Sequence, residues 1–153
     1  MNNTKPQQQV EDYFNNKADQ TKSLMLHGPN GTGKSTAMKP YEEKMWHGSA
    51  LQFASVIAKE GTGYIEKYGM HDMYIDDLGR ERATVANYGD KNITPLHDLL
   101  HFRYDVFINS GYKTHISTNL GFKELQERYG IPIADRIKEM CIIIDFKGES
   151  MRK

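Results

Sequence analysis

A short stretch near the start of the sequence has the composition and spacing of a phosphate-binding loop. The pattern G-x-x-x-x-G-K-[ST] places Gly28, Gly33, Lys34 and Ser35 at its four fixed positions. Glycines allow successive backbone N–H groups to surround an anion, and the helix after such a loop adds the positive end of its dipole. The predicted phosphate-binding residues are Gly28, Pro29, Asn30, Gly31, Thr32, Gly33, Lys34, Ser35 and Thr36.

Two side chains of this loop have separate predicted roles. Lys34 is expected to reach the β- and γ-phosphates of ATP, and the Ser35 hydroxyl is expected to bind Mg²⁺. The pattern arises by chance in roughly one chain of this length in two hundred, so a glycine turn without a ligand is the alternative. The flanking residues favour the loop, because residues 23–26 have the pattern of a buried strand and residues 36–38 begin a helical one.

Three further polar residues follow predicted strands and could act on the phosphates. Asp76 and Asp77 come after the apolar run 73–75; we assign the first to Mg²⁺ and the second to polarising the attacking water. Taken alone, the pair is equally well explained as turn acids at a strand end, but its position downstream of a phosphate loop favours catalysis. Asn119, after the strand pattern 113–117, is placed to hydrogen-bond the attacking water or the γ-phosphate.

Histidine and cysteine residues in the sequence are better explained as structural. His97 and His101 are four apart on one predicted helix, in a pattern similar to a zinc-protease helix with Asp98 in place of glutamate. No third ligand is apparent, and a helix surface explains both histidines. Cys141 lies in an apolar run without a partner in the chain, which favours a buried thiol over a nucleophile.

The elements that must position these residues follow from hydrophobic periodicity and from glycine and proline. Buried strands are predicted at residues 23–26, 50–53, 73–75, 113–117 and 140–146. Helices are predicted at residues 34–46, 54–68, 121–129 and 134–140, and residues 80–91 are predicted to form a surface loop. In an α/β fold of this kind, the nucleotide is expected at the carboxyl edge of the strands.

The longest predicted helix begins at Pro95, with Thr94 as its cap, and ends before Gly111. Arg103 falls on its apolar face, where a charge needs a partner. The apolar residues of this face are Leu96, Leu99, Leu100, Val106 and Phe107.

Length and composition limit the class of protein. A chain of 153 residues corresponds to one domain, which needs no disulfide or metal to be stable. A net charge of +0 argues against a strongly basic nucleic-acid-binding arm but allows a local basic groove. No apolar stretch is long enough to span a bilayer and residues 1–9 lack a signal-peptide core, so we expect a cytoplasmic protein.

Six segments together resemble the AAA+ ATPases of the DnaC-type helicase loaders and the related IstB-like transposition helper proteins. The segments are residues 28–36, 73–81 (MYIDDLGRE), 100–107 (LHFRYDVF), 113–120 (KTHISTNL), 129–140 (YGIPIADRIKEM) and 147–152 (KGESMR). The acid pair followed by Leu-Gly-x-Glu is the more specific part. The resemblance implies an AAA+ ATPase domain at residues 23–153. For the preceding segment, 1–22, composition predicts flexibility and helical spacing predicts one short helix.

The resemblance also implies roles for residues outside the loop. It makes Asn119 the residue called sensor 1 and Arg152 the sensor 2 arginine that contacts nucleotide phosphate. It further implies an ATP-dependent oligomer in which an arginine of one subunit completes the site of its neighbour.

Two features depart from the family pattern. The segment after Tyr-Gly usually carries two arginines, and Pro132 occupies the place of the first. Arg136 keeps the second position and is our choice for the arginine that acts in trans, with Arg128, Arg103 or loss of the role as alternatives. Loaders of this type dock on the helicase through an N-terminal region, whereas only residues 1–22 precede the first predicted strand, so we expect docking through another surface or a separate protein.

The predicted fold is a three-layer α/β P-loop NTPase sandwich with a mostly parallel five-stranded sheet. The resemblance implies the strand order 5-1-4-3-2, and no helical lid domain is expected after the last strand. The predicted function is ATP binding and hydrolysis, with Mg²⁺, by a DNA replication or transposition accessory factor. It is expected to act as an oligomer on single-stranded DNA with a replicative helicase or transposase; the alternatives are a nucleotide-switched binding module with little turnover and a small P-loop nucleotide kinase.

Overall fold

Short apolar segments form a parallel sheet at the centre of the fold. The computed structural model describes residues 5–17, 19–81, 85–86 and 92–146. The strands are, in chain order, β1 (Ser23–His27), β2 (Trp46–Ser49), β3 (Met73–Leu78), β4 (Val85–Ala86), β5 (Asn92–Ile93), β6 (Thr114–Thr118) and β7 (Cys141–Asp145). The main sheet has the order β2-β3-β6-β1-β7, with every neighbouring pair parallel, and β4 pairs antiparallel with β5. Numbered among themselves, the five strands of the main sheet have the order 5-1-4-3-2, which confirms the prediction.

Helices cover both faces of the sheet. They are α1 (Pro6–Phe14), α2 (Lys34–Met38) with a 3₁₀ continuation (Lys39–Lys44), α3 (Ala50–Glu60), α4 (Gly63–Tyr68), α5 (Pro95–Ser110), α6 (Phe122–Tyr129) and α7 (Ile131–Met140). Because alternate strand residues point to opposite faces, Leu24 and Leu26 pack with Met38 of α2, whereas Met25 packs in the core formed with α3 to α7. The three-layer sandwich is therefore confirmed. In the described part of the chain, no helix has both the length and the apolarity needed to cross a membrane.

The N-terminal helix α1 packs on the same face as α2. Val10 and Tyr13 are buried, and the Tyr13 hydroxyl donates to the carbonyl of Lys22 at 2.6 Å. The Phe14 ring stacks on Tyr41 with ring centroids 4.1 Å apart. The short helix predicted within residues 1–22 thus packs on the phosphate-loop side of its own domain.

Arg103 of α5 has the buried partners that its position requires. Its side chain is fully buried, and Nε donates to the Thr114 hydroxyl at 2.7 Å. The guanidinium also donates to the carbonyls of Gly69, His71 (2.6 Å) and Lys113 (2.9 Å). Burial lowers the pKa of Arg103 to about 10, which leaves it charged at neutral pH. The charge therefore ties α5 to the loops at the amino edge of the sheet.

The segment before α3 differs from the prediction. The sequence predicts a strand at residues 50–53, which is wrong, because β2 is Trp46–Ser49 and α3 begins at Ala50. A capping box explains the difference: the Ser49 hydroxyl accepts from the Gln52 N–H at 3.0 Å, and the Gln52 side chain accepts from the Ser49 N–H at 2.8 Å. This reciprocal pair starts the helix directly after the strand.

Prolines decide two other boundaries. The sequence predicts a helix through residue 46, but α2 ends at Met38 and the chain continues as a 3₁₀ helix that contains Pro40, which has no N–H for an α-helical hydrogen bond. Helix α7 begins at Ile131, earlier than predicted, because Pro132 lies in its first turn, where a missing N–H has no cost.

Part of the predicted surface loop 80–91 is also extended, as strand β4.

Candidate nucleotide-binding site

The predicted phosphate loop connects the end of β1 to the start of α2 at the carboxyl edge of the sheet. Gly28 has φ +155°, and a Cβ there would lie 2.6 Å from the carbonyl oxygen of Phe146. Gly33 precedes α2 with φ +94°, a left-handed conformation that other residues rarely adopt. Packing thus requires glycine at one end of the loop, and backbone conformation requires it at the other.

The Lys34 side chain folds back over this loop. It is 6% exposed, and Nζ donates to the carbonyls of Gly28 at 2.5 Å and Pro29 at 2.7 Å. Burial lowers the pKa of the Lys34 ammonium, an effect that Asp77 and Asp76 oppose. The two backbone carbonyls thus hold the Lys34 ammonium at the loop, where it can bind an anion without further rearrangement.

Asp76 connects strand β3 to the phosphate loop. Its Oδ1 accepts hydrogen bonds from the hydroxyls of Ser35 (3.0 Å), Tyr74 (2.9 Å) and Ser117 (2.6 Å). Within the described residues, the hydrogen bonds of the Asp76 carboxylate all fall on Oδ1. The second oxygen accepts no hydrogen bond from the described residues, so it can serve as an ion ligand.

A β-bulge brings Asp77 to the same site as Asp76. Consecutive residues of a regular strand point to opposite faces. Here Ile75 is opposite Ile116 and Leu78 is opposite Thr118, so the two acids of β3 face one residue of β6. Asp77 has φ +56°, which turns its side chain toward the loop. The pair can act together because the strand is irregular at this point.

Phosphate-loop residues and one of the two acids, Asp77, line a cleft of about 560 Å³. Asp76 is not among the described residues that line it, and it is linked to the cleft by the hydrogen bond from Ser35. Asp77 lies in its wall with Lys34 and Ser35, and burial and the neighbouring Asp76 raise the pKa of the Asp77 carboxyl. Arg80 also lines the cleft, and it lowers that pKa together with Lys34. The remaining lining residues are Asn30, Gly31, Gly33 and Thr36. Sequence analysis missed Arg80, although its position three residues after Asp77 was the available signal.

The residues that line this cleft, together with Asp76 beside Ser35, fit a nucleotide with Mg²⁺. Magnesium prefers oxygen ligands, and the Ser35 hydroxyl and the Asp76 carboxylate supply them from two different elements. Lys34 and Arg80 supply cations for phosphate oxygens. The loop backbone before α2 supplies N–H groups at a helix start. The site can hold the charge of a triphosphate on one side and polarise a water on the other.

Asn119 lies beside this site, with an exposed side chain. The preceding Thr118 accepts from the Gly28 N–H at 3.2 Å through its carbonyl and donates to the carbonyl of Leu78 at 2.7 Å through its hydroxyl. These bonds join the start of the phosphate loop to the end of β3. The residues that line the cleft, within the described part of the chain, do not include Asn119.

Two of the three candidate trans arginines are occupied within their own chain. Arg103 is fully buried, so it cannot reach a neighbouring subunit. Arg128 Nη2 lies 3.3 Å from a carboxylate oxygen of Glu81, and it also donates to the backbone carbonyl of that residue. Glu81 is itself buried and accepts from the hydroxyl of Tyr129 and from the Gly79 N–H at 2.8 Å. The glutamate of the Leu-Gly-x-Glu segment therefore ties the loop after the acids to α6.

Arg136 lies on the face of α7 that meets α5, and it is not among the described residues that line the cleft. Its guanidinium contacts His101 Nδ1 and lies 5.1 Å from the centre of the Tyr104 ring. The structure thus brings Arg136 together with surface residues and not with the cleft. Arg152 lies outside the described residues.

His97, His101 and Cys141 are not among the described residues that line the cleft. His101 contacts Arg136, and His97 Nδ1 lies 3.8 Å from Asp98. Among the described residues, no group of three His, Cys, Asp or Glu side chains could hold a metal ion. Cys141 is buried, and this burial raises the pKa of its thiol to about 12.

Three solved structures have the same fold as this chain. The DnaC helicase loader has a TM-score of 0.61 at 16% identity, over 92% of this chain and 87% of that chain. DnaI has a TM-score of 0.64 at 17% identity, over 94% and 80%. The replication initiator DnaA bound to AMPPCP and single-stranded DNA has a TM-score of 0.63 at 16% identity, over 94% and 46%. No protein-family model and no curated protein matches the chain. At these identities the similarity establishes the fold that this chain shares with the three proteins.

Proposed function

We propose that this chain, which has the fold of P-loop AAA+ domains, binds ATP with Mg²⁺ and hydrolyses it. One observation carries the proposal. The Ser35 hydroxyl of the phosphate loop lies 3.0 Å from the Asp76 carboxylate of β3, so the two oxygens that a nucleotide-bound Mg²⁺ needs are already side by side.

The chain's own residues divide the work of hydrolysis. The loop N–H groups and Lys34 bind the phosphates, and Ser35 and Asp76 hold the ion, which neutralises charge on the β- and γ-phosphates. Asp77 polarises the attacking water. A carboxyl with a raised pKa is a stronger proton acceptor than an ordinary aspartate, which suits this role. Asn119, at the end of the adjacent strand, orients the water or the γ-phosphate.

The proposed active form is an ATP-dependent oligomer in which Arg136 enters the site of a neighbouring subunit. Its partial exposure on α7 and its absence from the described residues that line the chain's own cleft support this assignment. The two alternatives, Arg103 and Arg128, are held within the subunit. A cation that reaches the γ-phosphate from a neighbour raises turnover by about three to five powers of ten in related sites. Turnover by a lone subunit is therefore expected to be slow. Arg152 is proposed as the sensor 2 arginine.

The proposed setting is DNA replication or transposition in the cytoplasm, on single-stranded DNA and with a replicative helicase or transposase. The fold of the DnaC helicase loader and of DnaA bound to single-stranded DNA supports this setting. The second candidate function is a nucleotide-switched binding module with little turnover. Pro132, in the place of a family arginine, favours it.

A paired set of lysine variants tests the nucleotide site. Lys34→Ala removes the phosphate-loop ammonium and should abolish binding of a fluorescent ATP analogue, whereas Lys39→Ala, an exposed lysine just beyond α2, should bind normally. Micromolar affinity in Lys34→Ala would reject the loop assignment. Phosphate release by the unaltered protein, with and without single-stranded DNA and helicase, then separates an ATPase from a switch.

A further inference from the structure

Ser117 of β6 is hydrogen-bonded to both acids of the site. Its hydroxyl donates to Asp76 Oδ1 at 2.6 Å and accepts from the backbone N–H of Asp77 at 3.0 Å. The side chain is fully buried, so water does not compete for either bond. A serine hydroxyl has one hydrogen to donate and two lone pairs to accept with, which allows both bonds at once.

The sheet register explains why a hydroxyl is needed at this position. Ile75 pairs with Ile116 and Leu78 with Thr118, so Ser117 is the single β6 residue opposite the bulge that contains both acids. A bulge disrupts the ladder of backbone hydrogen bonds. The Ser117 side chain accepts the Asp77 N–H in place of a backbone carbonyl.

The conformation of Asp77 makes this bond important. Its φ of +56° lies in the left-handed region, which is unfavourable for residues other than glycine, although aspartate tolerates it better than most. Such a conformation persists only where surrounding contacts hold it. The hydrogen bond to Ser117 is one of those contacts, and it acts on the backbone of the acid itself.

We propose that Ser117 is a positioning residue that sets both acids for catalysis. It holds the Asp76 carboxylate through Oδ1, which would leave the other oxygen to bind an ion, and it fixes the bulge that turns Asp77 into the cleft. The inference rests on the proposed ATPase function, and it assigns to Ser117 a role in that function without contact to the nucleotide or the attacking water.

Tyr74 provides an internal comparison. Its hydroxyl donates to the same Asp76 oxygen, at 2.9 Å, from two residues earlier in β3. Removal of the Tyr74 hydroxyl takes away one hydrogen bond to Asp76 but leaves the hydrogen bond between Ser117 and the Asp77 N–H. Substitutions of Tyr74 and of Ser117 therefore separate an effect on ion binding from an effect on the catalytic acid.

The experiment measures Mg²⁺ dependence and turnover separately. Variants Ser117→Ala, Ser117→Thr and Tyr74→Phe are compared with Ser23→Ala, a matched control. The Ser23 hydroxyl is also buried, and it accepts from the Thr114 N–H at 2.8 Å near the amino edge of the sheet. Binding of a fluorescent ATP analogue is titrated with Mg²⁺, and kcat is measured with Mg²⁺ and ATP saturating in the DNA-bound assembly.

Ser117→Ala should raise the half-saturating Mg²⁺ concentration about tenfold and lower kcat about tenfold, since it removes one charge-assisted bond and one backbone bond. Tyr74→Phe should change only the Mg²⁺ dependence. Ser117→Thr, which keeps the hydroxyl, should restore most of both quantities, and Ser23→Ala should match the unaltered protein.

Equal Mg²⁺ dependence and equal kcat in Ser117→Ala and the unaltered protein would overturn the inference. Loss confined to the Mg²⁺ dependence would overturn the part that concerns Asp77. If Ser117→Ala does not fold, Ser117→Cys replaces it, because a thiol keeps the volume but is a weak donor and acceptor. An unaltered protein that binds no ATP would instead reject the proposed function.

Discussion

The hydroxyl of Ser35 and the carboxylate of Asp76 lie 3.0 Å apart, although 41 positions of sequence separate them. One belongs to the first turn of α2 and the other to β3, which is separated from β1 in the sheet by β6. The contact therefore depends on the strand order as well as on the two motifs. It brings a loop that can hold phosphates within reach of acids that can hold an ion.

Substitution of Ser35 tests this convergence directly. Ser35→Ala removes one ion ligand but leaves Lys34 and the loop backbone, so binding of ATP in excess chelator should change little. Binding with Mg²⁺ present should weaken by about tenfold or more, because a direct ligand is lost. Ser55→Ala, an exposed serine on α3, is the control. Identical titrations for Ser35→Ala with and without Mg²⁺, both equal to those of the unaltered protein, would show that Ser35 is not a ligand.

Asp77→Asn should slow hydrolysis and raise the stability of the fold. Burial and Asp76 raise the folded-state pKa of Asp77, so its ionised form lowers stability at neutral pH. Asparagine removes the charge and tolerates the left-handed conformation of this residue. The Tm of the nucleotide-free protein at pH 7 should therefore be higher for Asp77→Asn than for the unaltered protein. The variant should still bind ATP. Loss of ATP binding would instead make Asp77 a ligand of the ion.

The pH dependence of this stabilisation has a definite sign. The folded protein binds the Asp77 proton more tightly than the unfolded chain does, so stability improves as the pH falls through the raised pKa. The advantage of Asp77→Asn should consequently shrink as the pH falls through the raised pKa, and it should vanish below a pH of about 4, where the unfolded aspartate is also protonated. Asp105→Asn, at an exposed position on α5, controls for a general charge effect. A Tm difference that does not change with pH would point to backbone conformation alone.

Arg80 should shift the pH at which hydrolysis is lost on the acid side of the pH profile. Asp77 must be ionised to polarise water, and its raised pKa places the loss of activity at a higher pH than for an ordinary aspartate. Arg80 lowers that pKa, so Arg80→Ala should move the loss of kcat to still higher pH, and Arg80→Lys should move it less. An unchanged profile in Arg80→Ala would show that this cation does not act on the catalytic acid.

Arg103 is expected to contribute to stability and not to turnover in trans. Arg103→Met keeps much of the volume but leaves the buried carbonyl of Gly69 without this donor and removes the hydrogen bond to the Thr114 hydroxyl, whereas the carbonyl of Lys113 still accepts from the Met73 N–H. An unsatisfied buried carbonyl costs about 1–3 kcal/mol, so the free energy of unfolding should fall by about 2 kcal/mol or more. Urea unfolding measures this, with Lys59→Ala on α3 as a surface control. A loss of less than about 1 kcal/mol would contradict the role.

The sequence predicts those parts of the site whose residues lie next to one another in the chain. Gly28 to Thr36 and the acids after residue 75 are recognisable because loop, helix start and strand end are each continuous in the chain. The bulge is different: it depends on the register of β3 against β6, which no local pattern reveals. Ser117 was therefore an ordinary strand residue in the sequence.

The wrongly predicted elements also depend on hydrogen bonds that a local sequence pattern does not reveal. The start of α3 follows from the reciprocal bonds of Ser49 and Gln52, a motif that competes with the strand propensity of residues 50–53. The role of Arg128 could not be inferred, because its partner Glu81 lies 47 positions away. Periodicity predicts which face of an element is buried, whereas such polar partnerships appear only once the chain is folded.

A mixing experiment tests whether Arg136 acts on a neighbouring subunit. Arg136→Ala alone and Asp77→Asn alone should each hydrolyse ATP slowly in the assembled state. In mixed oligomers, an Arg136→Ala subunit keeps its own Asp77 and receives Arg136 from an Asp77→Asn neighbour, so part of the activity should return. An arginine that serves its own site cannot give this result, because no subunit then has both groups.

The control for this test is Lys138→Ala, which removes another cation from α7, one that lies 5.5 Å from the ring centre of Phe122. It should remain active alone and should not depend on mixing. Size-exclusion chromatography with a non-hydrolysable ATP analogue must show that the Arg136→Ala and Asp77→Asn proteins still assemble. If they assemble together and the mixture stays as slow as either variant alone, Arg136 is not the trans arginine. Since Arg103 and Arg128 are held within the subunit, the nucleotide-switch function with little turnover would then be favoured.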